Sequence, residues 1–353
     1  MISDRLPTLG ASPVELPPGR RLVGRALARP SLPALVGLVV VLVFFGLQTP
    51  ELLSPGGLAS VLDPAALLGI GGVAVALLLI AGQFDLSIGV TAVASSLVTA
   101  LLISQAGWNT WAALLGSLAA ALLVGLVNGF LVVNTGLPSF LVTLATFLVL
   151  QGTSQAGVEA LAGSARVTGL DDAPGWSAAQ RVFASTLQLG DGRFRVSLLW
   201  WLGLTAVATW ALWRTRFGNA VFASGGARRA ARQLGVPVRR TTLTLFCLTA
   251  TAGWLIGTLG LVRLNGVQVG APGLGTAVDF VVIAVIGGCL LTGGYGSTVG
   301  AAIGALVYAV AREGIALAGW DAPWFQAFLG ALLLLALLTN GIVRYRLKAV
   351  PRS

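Results

Sequence analysis

Few side chains in this 353-residue sequence can do chemistry. The most conspicuous is Asp85, in the stretch AGQFDLSIG from Ala81 to Gly89, with apolar runs on both sides. A carboxylate at the centre of a membrane helix costs roughly 2.5–3.5 kcal/mol on insertion scales. Three roles suit it: a helix cap, where free N–H groups and the dipole favour an anion; a solute contact; or the coupling group of an ion-driven transporter. Gly82 and Gly89 bracket Asp85 and predict a break in the helix, which favours the cap. Other polar or aromatic candidates inside apolar runs are Asn128, Phe140, Thr143, Gln151, Asp279 and Phe280. The exclusions are sharper. There is no histidine, so zinc chemistry and imidazole general-base catalysis have no ligand or base. Cys247 and Cys289 both fall in apolar runs and read as buried thiols. Lys348 is the sole lysine, so a phosphate loop ending in Lys-Ser/Thr is excluded. No nucleophile–base set and no metal cluster is present; the chain is expected to hold no catalytic residue, metal or cofactor.

These side chains must be positioned by membrane helices. The sequence is 56% hydrophobic and 10% charged, against about 25% charged in soluble domains. A span needs about 20 apolar residues, and on that basis the sequence predicts an all-α, polytopic bundle of ten: 31–49, 64–82, 86–104, 109–134, 137–154, 197–214, 241–262, 277–293, 296–316 and 322–340. Residues 1–30 read as a flexible tail, 31–340 as the membrane domain and 341–353 as a basic tail. With the N-terminus inside, the segments 1–30, 214–240 and 341–353 hold 16 of the 22 basic residues. The opposite loops carry Glu51, Asp63, Glu159, Asp171, Asp172, Asp191 and Asp321. This is the positive-inside pattern, with both termini cytoplasmic; it accounts for the net charge of +10 without a nucleic-acid partner. The exterior segment 155–196 is expected to form either one or two surface helices or a mobile loop. Gly125/Gly129 and Gly296/Gly300/Gly304 have the spacing of close helix packing in lipid.

The basic loop Arg214–Arg240 carries its own pattern. Ala227, Ala230, Ala231 and Leu234 recur at helical spacing, Gly235 suits a C-terminal cap, and Pro237 stops continuation. A helix of about two turns is expected. It could lie on anionic lipid. An alanine stripe without Trp or Phe suits a groove in a cytoplasmic protein better. If ATP drives the protein, another chain binds it.

Four motifs then carry a resemblance. They are Asp85-Leu86-Ser87-Ile88-Gly89; Asn128-Gly129 followed by Leu137-Pro138-Ser139-Phe140-Leu141-Val142-Thr143-Leu144; Thr215-Arg216-Phe217-Gly218 with Ala223, Gly225, Ala230-Ala231 and Gly235-Val236; and Ile283-Ala284, Ile286-Gly287-Gly288, Leu291-Thr292-Gly293-Gly294 and Gly296-Ser297. In order and spacing they resemble the permease subunits of bacterial sugar-type ABC importers, the ribose/xylose/galactose branch. The resemblance covers roughly residues 35–340. It implies a multi-pass protein of the bacterial inner membrane, working as a pair of permeases, homo- or heterodimeric. An extracytoplasmic sugar-binding protein would cap it, and ATP-binding subunits that hold ATP and magnesium would drive it. It also implies that Thr215, Phe217, Gly218, Ala223, Gly225, Ala230, Ala231, Leu234 and Gly235 dock the ATPase. Sugar sites want hydroxyl-directed hydrogen bonds and an aromatic platform; Asp85, Asn128, Phe140, Thr143, Asp279 and Phe280 are then the candidates for the translocation path. Asn219, Ala227, Asp279 and Arg312-Glu313 depart from the pattern, and a mutual ion pair is the simple account of the last two. Permeases for nucleosides or branched-chain amino acids, and an ion-coupled secondary transporter, remain alternatives. A weak internal echo sets Gly82, Leu86, Ser87 and Gly89 against Gly287, Leu291, Thr292 and Gly294 at one offset.

Overall fold

The computed structural model describes residues 31–270 and 273–349. The expected tail 1–30 and the end of the basic tail, 350–353, lie outside the described residues. In chain order the helices are α1 (Ser31–Gln48), α2 (Pro55–Ile80), α3 (Ile88–Ser104), α4 (Thr110–Thr135), α5 (Ser139–Ala162), α6 (Trp176–Phe183), α7 (Ser197–Arg214), α8 (Arg216–Gly226), α9 (Arg228–Gln233), α10 (Val238–Leu264), α11 (Gly273–Ile286), α12 (Thr298–Leu317) and α13 (Pro323–Ala349). Four short strands accompany them: β1 (Arg166–Thr168), β2 (Thr186–Leu189), β3 (Gly192–Arg195) and β4 (Gly266–Gln268).

Each expected span coincides with one helix. Among the described residues seven helices, α1, α2, α4, α5, α10, α12 and α13, are long and apolar enough to cross a membrane; α3 and α11 are shorter apolar helices. The tenth, α7, carries Trp200, Trp201, Trp210 and Trp213 among its aliphatic residues, a side chain at home in the interfacial belts of a bilayer. The chain is thus a polytopic helical membrane bundle. Several boundaries are corrected. Helix α2 starts at Pro55 rather than residue 64: Ser54 Oγ accepts from Gly57 N–H at 3.0 Å and caps it, and Pro64 lies within the helix. Helix α5 continues to Ala162 and α13 to Ala349. Helix α11 stops at Ile286, short of the expected 293.

The core is built around α2, whose residues from Ala65 to Ile80 are largely enclosed. Missing side chains let its neighbours close in. A Cβ on Gly69 would lie 2.0 Å from the Trp201 indole nitrogen, and one on Gly71 would lie 2.4 Å from the Phe280 ring. This is small-residue packing as membrane bundles use it, where van der Waals contact replaces the hydrophobic drive. The expected glycine spacings hold at Gly125/Gly129, which press on α10, and at Gly300/Gly304, which press on α11 and the glycine that follows it. Gly296 instead lies in the loop before α12. Helices α3, α4 and α10 are further tied by hydroxyls: Thr99 donates to Ser117 Oγ at 2.7 Å, and Trp254 Nε1 donates to the same oxygen at 3.0 Å.

At one end of the bundle the 155–196 segment forms one helix and short ribbons. Strand β1 pairs antiparallel with β4, and β2 with β3. Trp176 is buried, and Phe183 stacks on Trp200 at 5.6 Å. Asp63 of α2 anchors this layer, accepting from Arg195 Nε at 3.1 Å and pairing with Arg263 Nη1 at 2.7 Å.

Candidate functional site

Helix α2 ends at Ile80, and the chain turns through Gly82, whose φ is +71°, before α3 begins at Ile88. In this turn Asp85 is 2% exposed. Its Oδ1 accepts from Ser87 N–H at 2.8 Å and Ser87 Oγ at 2.6 Å; its Oδ2 accepts from Thr249 Oγ1 of α10 at 2.7 Å. The carboxylate therefore secures the helix start from two residues upstream of the N-cap, Ser87. Asp85 is one end of a chain of bonds. Asn128 Nδ2 of α4 donates to Ser87 Oγ at 2.9 Å, and Thr146 of α5 donates to Asn128 Oδ1 at 2.6 Å. The turn's backbone is held as well: Leu86 N–H donates to Thr143 Oγ1 at 3.1 Å and Phe84 N–H to Ser139 Oγ at 2.9 Å. Such a network is stable only when its members are satisfied. Among the described residues no cation pairs with Asp85.

The second interruption follows α11. Residues 287–297 form a glycine-rich turn whose N–H groups find partners: Gly287 on Ile283 O at 2.9 Å, Cys289 on Ala284 O at 3.0 Å and Leu290 on Tyr295 O at 3.2 Å. Gly294 N–H crosses to Ile80 O, the last residue of α2, at 2.8 Å. The two interruptions are thus hydrogen-bonded to each other. Gly293 needs its φ of +80° and has no room for a side chain, since a Cβ would lie 2.8 Å from Gly82 Cα and 3.0 Å from Gly225 Cα. Of the residues of the sequence echo, all but Gly89, which lies in α3, fall in the two turns that meet.

Gly225 brings in the basic loop. Thr215 caps α8, accepting from Gly218 N–H at 3.4 Å while donating to Ala211 O at 2.6 Å. Gly218 is buried against the backbone of Leu212. Phe217 and Ala223 are half-buried. At the far end of α8 a Cβ on Gly225 would meet Ile80 O at 2.0 Å and Gly294 N at 2.6 Å. Helix α9 then follows. It ends with Gly235 at φ +77°; Val236 N–H reaches Ala231 O at 3.0 Å and Gly235 N–H reaches Arg232 O at 3.1 Å, the paired bonds of a glycine-terminated helix. The expected cap is therefore present, but the expected stripe is not one face. Ala227 is outside both helices and Ala231 is buried in its own chain, whereas Ala230 is exposed and Leu234 is 83% exposed.

Of the remaining candidates, Phe280 is buried against Gly71, and Phe140 is 46% exposed, its carbonyl accepting from Thr143 Oγ1 at 3.4 Å. Asp279 is half-buried and interacts with Tyr308 and Arg312 of α12. Among the described residues no ion pair joins Arg312 to Glu313. The network thus unites Asp85, Asn128 and Thr143. Sequence reasoning missed Thr249, Thr146, Ser139 and Tyr308, the first three being hydroxyls in apolar helices.

The arrangement ties the α8–α9 helix pair to two turns inside the bundle. The family described as "Branched-chain amino acid transport system / permease component" matches residues 57–337. A probable ABC transporter permease protein, y4mJ of Sinorhizobium fredii, is 31% identical over 90% of this chain and 91% of its own. The fructose import permease protein FrcC of Rhizobium meliloti is 28% identical over 89% of this chain and 86% of its own. The ribose import permease protein RbsC of Escherichia coli K12 is 26% identical over 87% and 92%. No solved structure matches. With both turns and the α8–α9 pair inside the matched region, the chain belongs to this family of transport permease components.

Proposed function

We propose that the chain is the permease of a binding-protein-dependent ABC importer that carries a monosaccharide or similar small polar solute across a bacterial inner membrane. Relatives named for fructose and ribose import support the sugar class, in preference to the amino acid of the family description. The observation that carries the mechanism is the Gly225 corner, where α8 touches both Ile80 and Gly294. An ATP-binding subunit seated on Ala230 and Leu234 displaces the α8–α9 pair, and the two turns follow. In this orientation the α8–α9 end is cytoplasmic and the β-ribbon end meets the binding protein. A second permease copy or paralogue completes the path. ATP and magnesium sit on the partner subunits, and this chain performs no catalysis. Asp279, with Tyr308 and Arg312, offers hydroxyl-binding groups on the path, whereas Asp85, Asn128 and Thr143 set the position of the inner turn.

The test is reconstitution in proteoliposomes with an ABC ATP-binding subunit and an extracytoplasmic sugar-binding protein. ATP-dependent uptake of a labelled monosaccharide, absent when either partner is omitted, is expected. Robust uptake by the chain alone under a proton or sodium gradient would overturn the reading.

A further inference from the structure

We propose that the seam between α4 and α10 holds one anionic phospholipid, its phosphate in a basic cleft and one acyl chain in the groove beyond. The cleft, about 590 Å³, opens where α4 ends and α10 begins; Asn134, Arg232, Arg239 and Arg240 line it, over a floor of Val236 and Pro237. Arg239 donates to Asn134 Oδ1, which holds one guanidinium across the cleft mouth. Among the described residues no carboxylate pairs with Arg232, Arg239 or Arg240, so three positive charges converge uncompensated. Guanidinium groups bind phosphate oxygens through paired N–H donors.

One turn further along both helices the lining changes. A second cavity of about 390 Å³ lies between Leu126, Val127, Phe130 and Leu131 of α4 and Leu243 of α10. Phe130 is 61% exposed there and Leu126 48%. The helices run in opposite senses, yet both step from polar to apolar in the same direction. On α4 the step runs from Asn134 back to Phe130; on α10 it runs from Arg240 forward to Leu243. Gly129 keeps the floor shallow, because Leu243 lies 3.0 Å from where its Cβ would be. Charge at the membrane surface followed by a hydrocarbon slot is the shape and polarity of a phospholipid. A soluble anion would leave the slot unfilled. Basic pockets between membrane helices are a known form of head-group site.

The experiment is native mass spectrometry of the purified full chain titrated with phosphatidylglycerol or phosphatidylcholine. The wild type should retain one phosphatidylglycerol with at least tenfold preference. Combined Arg232→Gln, Arg239→Gln and Arg240→Gln should abolish that preference. Val127→Trp, which fills the slot and leaves every charge in place, should reduce retention at least fivefold. Arg214→Gln, Arg216→Gln and Arg229→Gln, three exposed basic residues of the same loop, should leave it unchanged. Three results would overturn the proposal: equal loss in both arginine triples, which means diffuse surface charge; competition by glycerol phosphate as effective as by the lipid, which means a free-phosphate site; or loss of ATPase co-purification in the first triple with lipid retention intact, which means a protein-docking surface.

Discussion

Substituting Gly225 tests the link between helix pair and turns most directly. A methyl group there lies 2.0 Å from Ile80 O, 2.6 Å from Gly294 N and 3.0 Å from the Ala81 carbonyl carbon. All three are backbone atoms, so no side chain can swing aside. A close carbon–oxygen contact is about 3.3 Å, and the corner must open by roughly 1.3 Å to accept the methyl. Overpacking of this kind costs about 1–3 kcal/mol, and losing the Gly294–Ile80 hydrogen bond adds about 1 kcal/mol. The better helix propensity of alanine offsets about 1 kcal/mol. Gly225→Ala should therefore destabilise by about 1–3 kcal/mol, the balance of those contributions. The adjacent residue supplies the control. A Cβ on Gly226 meets only Gly294 Cα, at 3.8 Å, an ordinary contact, so Gly226→Ala keeps only the propensity gain. Thermal unfolding of both variants in detergent should differ in sign, by roughly 2 °C for each kcal/mol. ATP-driven uptake should fall at least tenfold in Gly225→Ala and stay within twofold of wild type in Gly226→Ala. Equal effects in the two variants, or the larger loss in Gly226→Ala, would refute the corner as the point of transmission.

Asp85→Asn retains an acceptor for Ser87 N–H, and Thr249 has Phe246 O as an alternative acceptor at 3.0 Å; uptake should stay within about threefold. Asp85→Ala removes the acceptor of three hydrogen bonds and should cost about 1–3 kcal/mol in a melting assay, the penalty of one stranded buried polar group. Abolished uptake in a stably folded Asp85→Asn would show instead that the charge itself is required. Asp63→Asn leaves Arg195 and Arg263 without their shared carboxylate; because these side chains are partly exposed, about 1 kcal/mol is expected, diminishing as salt is raised. At the strand end, Asn265 donates to Asp171 at 2.8 Å and holds that carboxyl below its ordinary value of 3.8. A depressed value means the contribution is present above pH 3.8 and lost as pH falls through the lower folded value. Hydrogen exchange of β1 and β4 should therefore quicken only in that acid range, and Asp171→Asn should abolish the dependence.

The apolar helices were legible because length and unbroken apolarity leave a membrane helix few rivals; among the described residues seven of them are long and apolar enough to cross a membrane. The interruptions were legible in part. Gly82 marked the first, but the run from Gly287 to Gly293 is as apolar as a helix, so composition extended α11 past its true end. Orientation around an all-apolar helix was not readable: Phe140 and Thr143 share a motif, yet one faces outward and the other inward. Ala231 fell on the expected stripe because the spacing takes no account of where the helix starts, and Ala227 lies outside it. Thr249 meets Asp85 across 164 residues of sequence, and no local pattern distinguishes it from its neighbouring threonines.

The early end of α11 leaves part of the bilayer depth to irregular backbone. A 14-residue helix is about 21 Å long, against about 30 Å of hydrocarbon in a bilayer. The remaining depth is taken by turns whose peptide dipoles are fixed on protein partners, as backbone within a membrane requires. There Gly82, Gly225 and Gly293 meet backbone to backbone, a Cβ on Gly293 falling 2.8 Å from Gly82 Cα and 3.0 Å from Gly225 Cα.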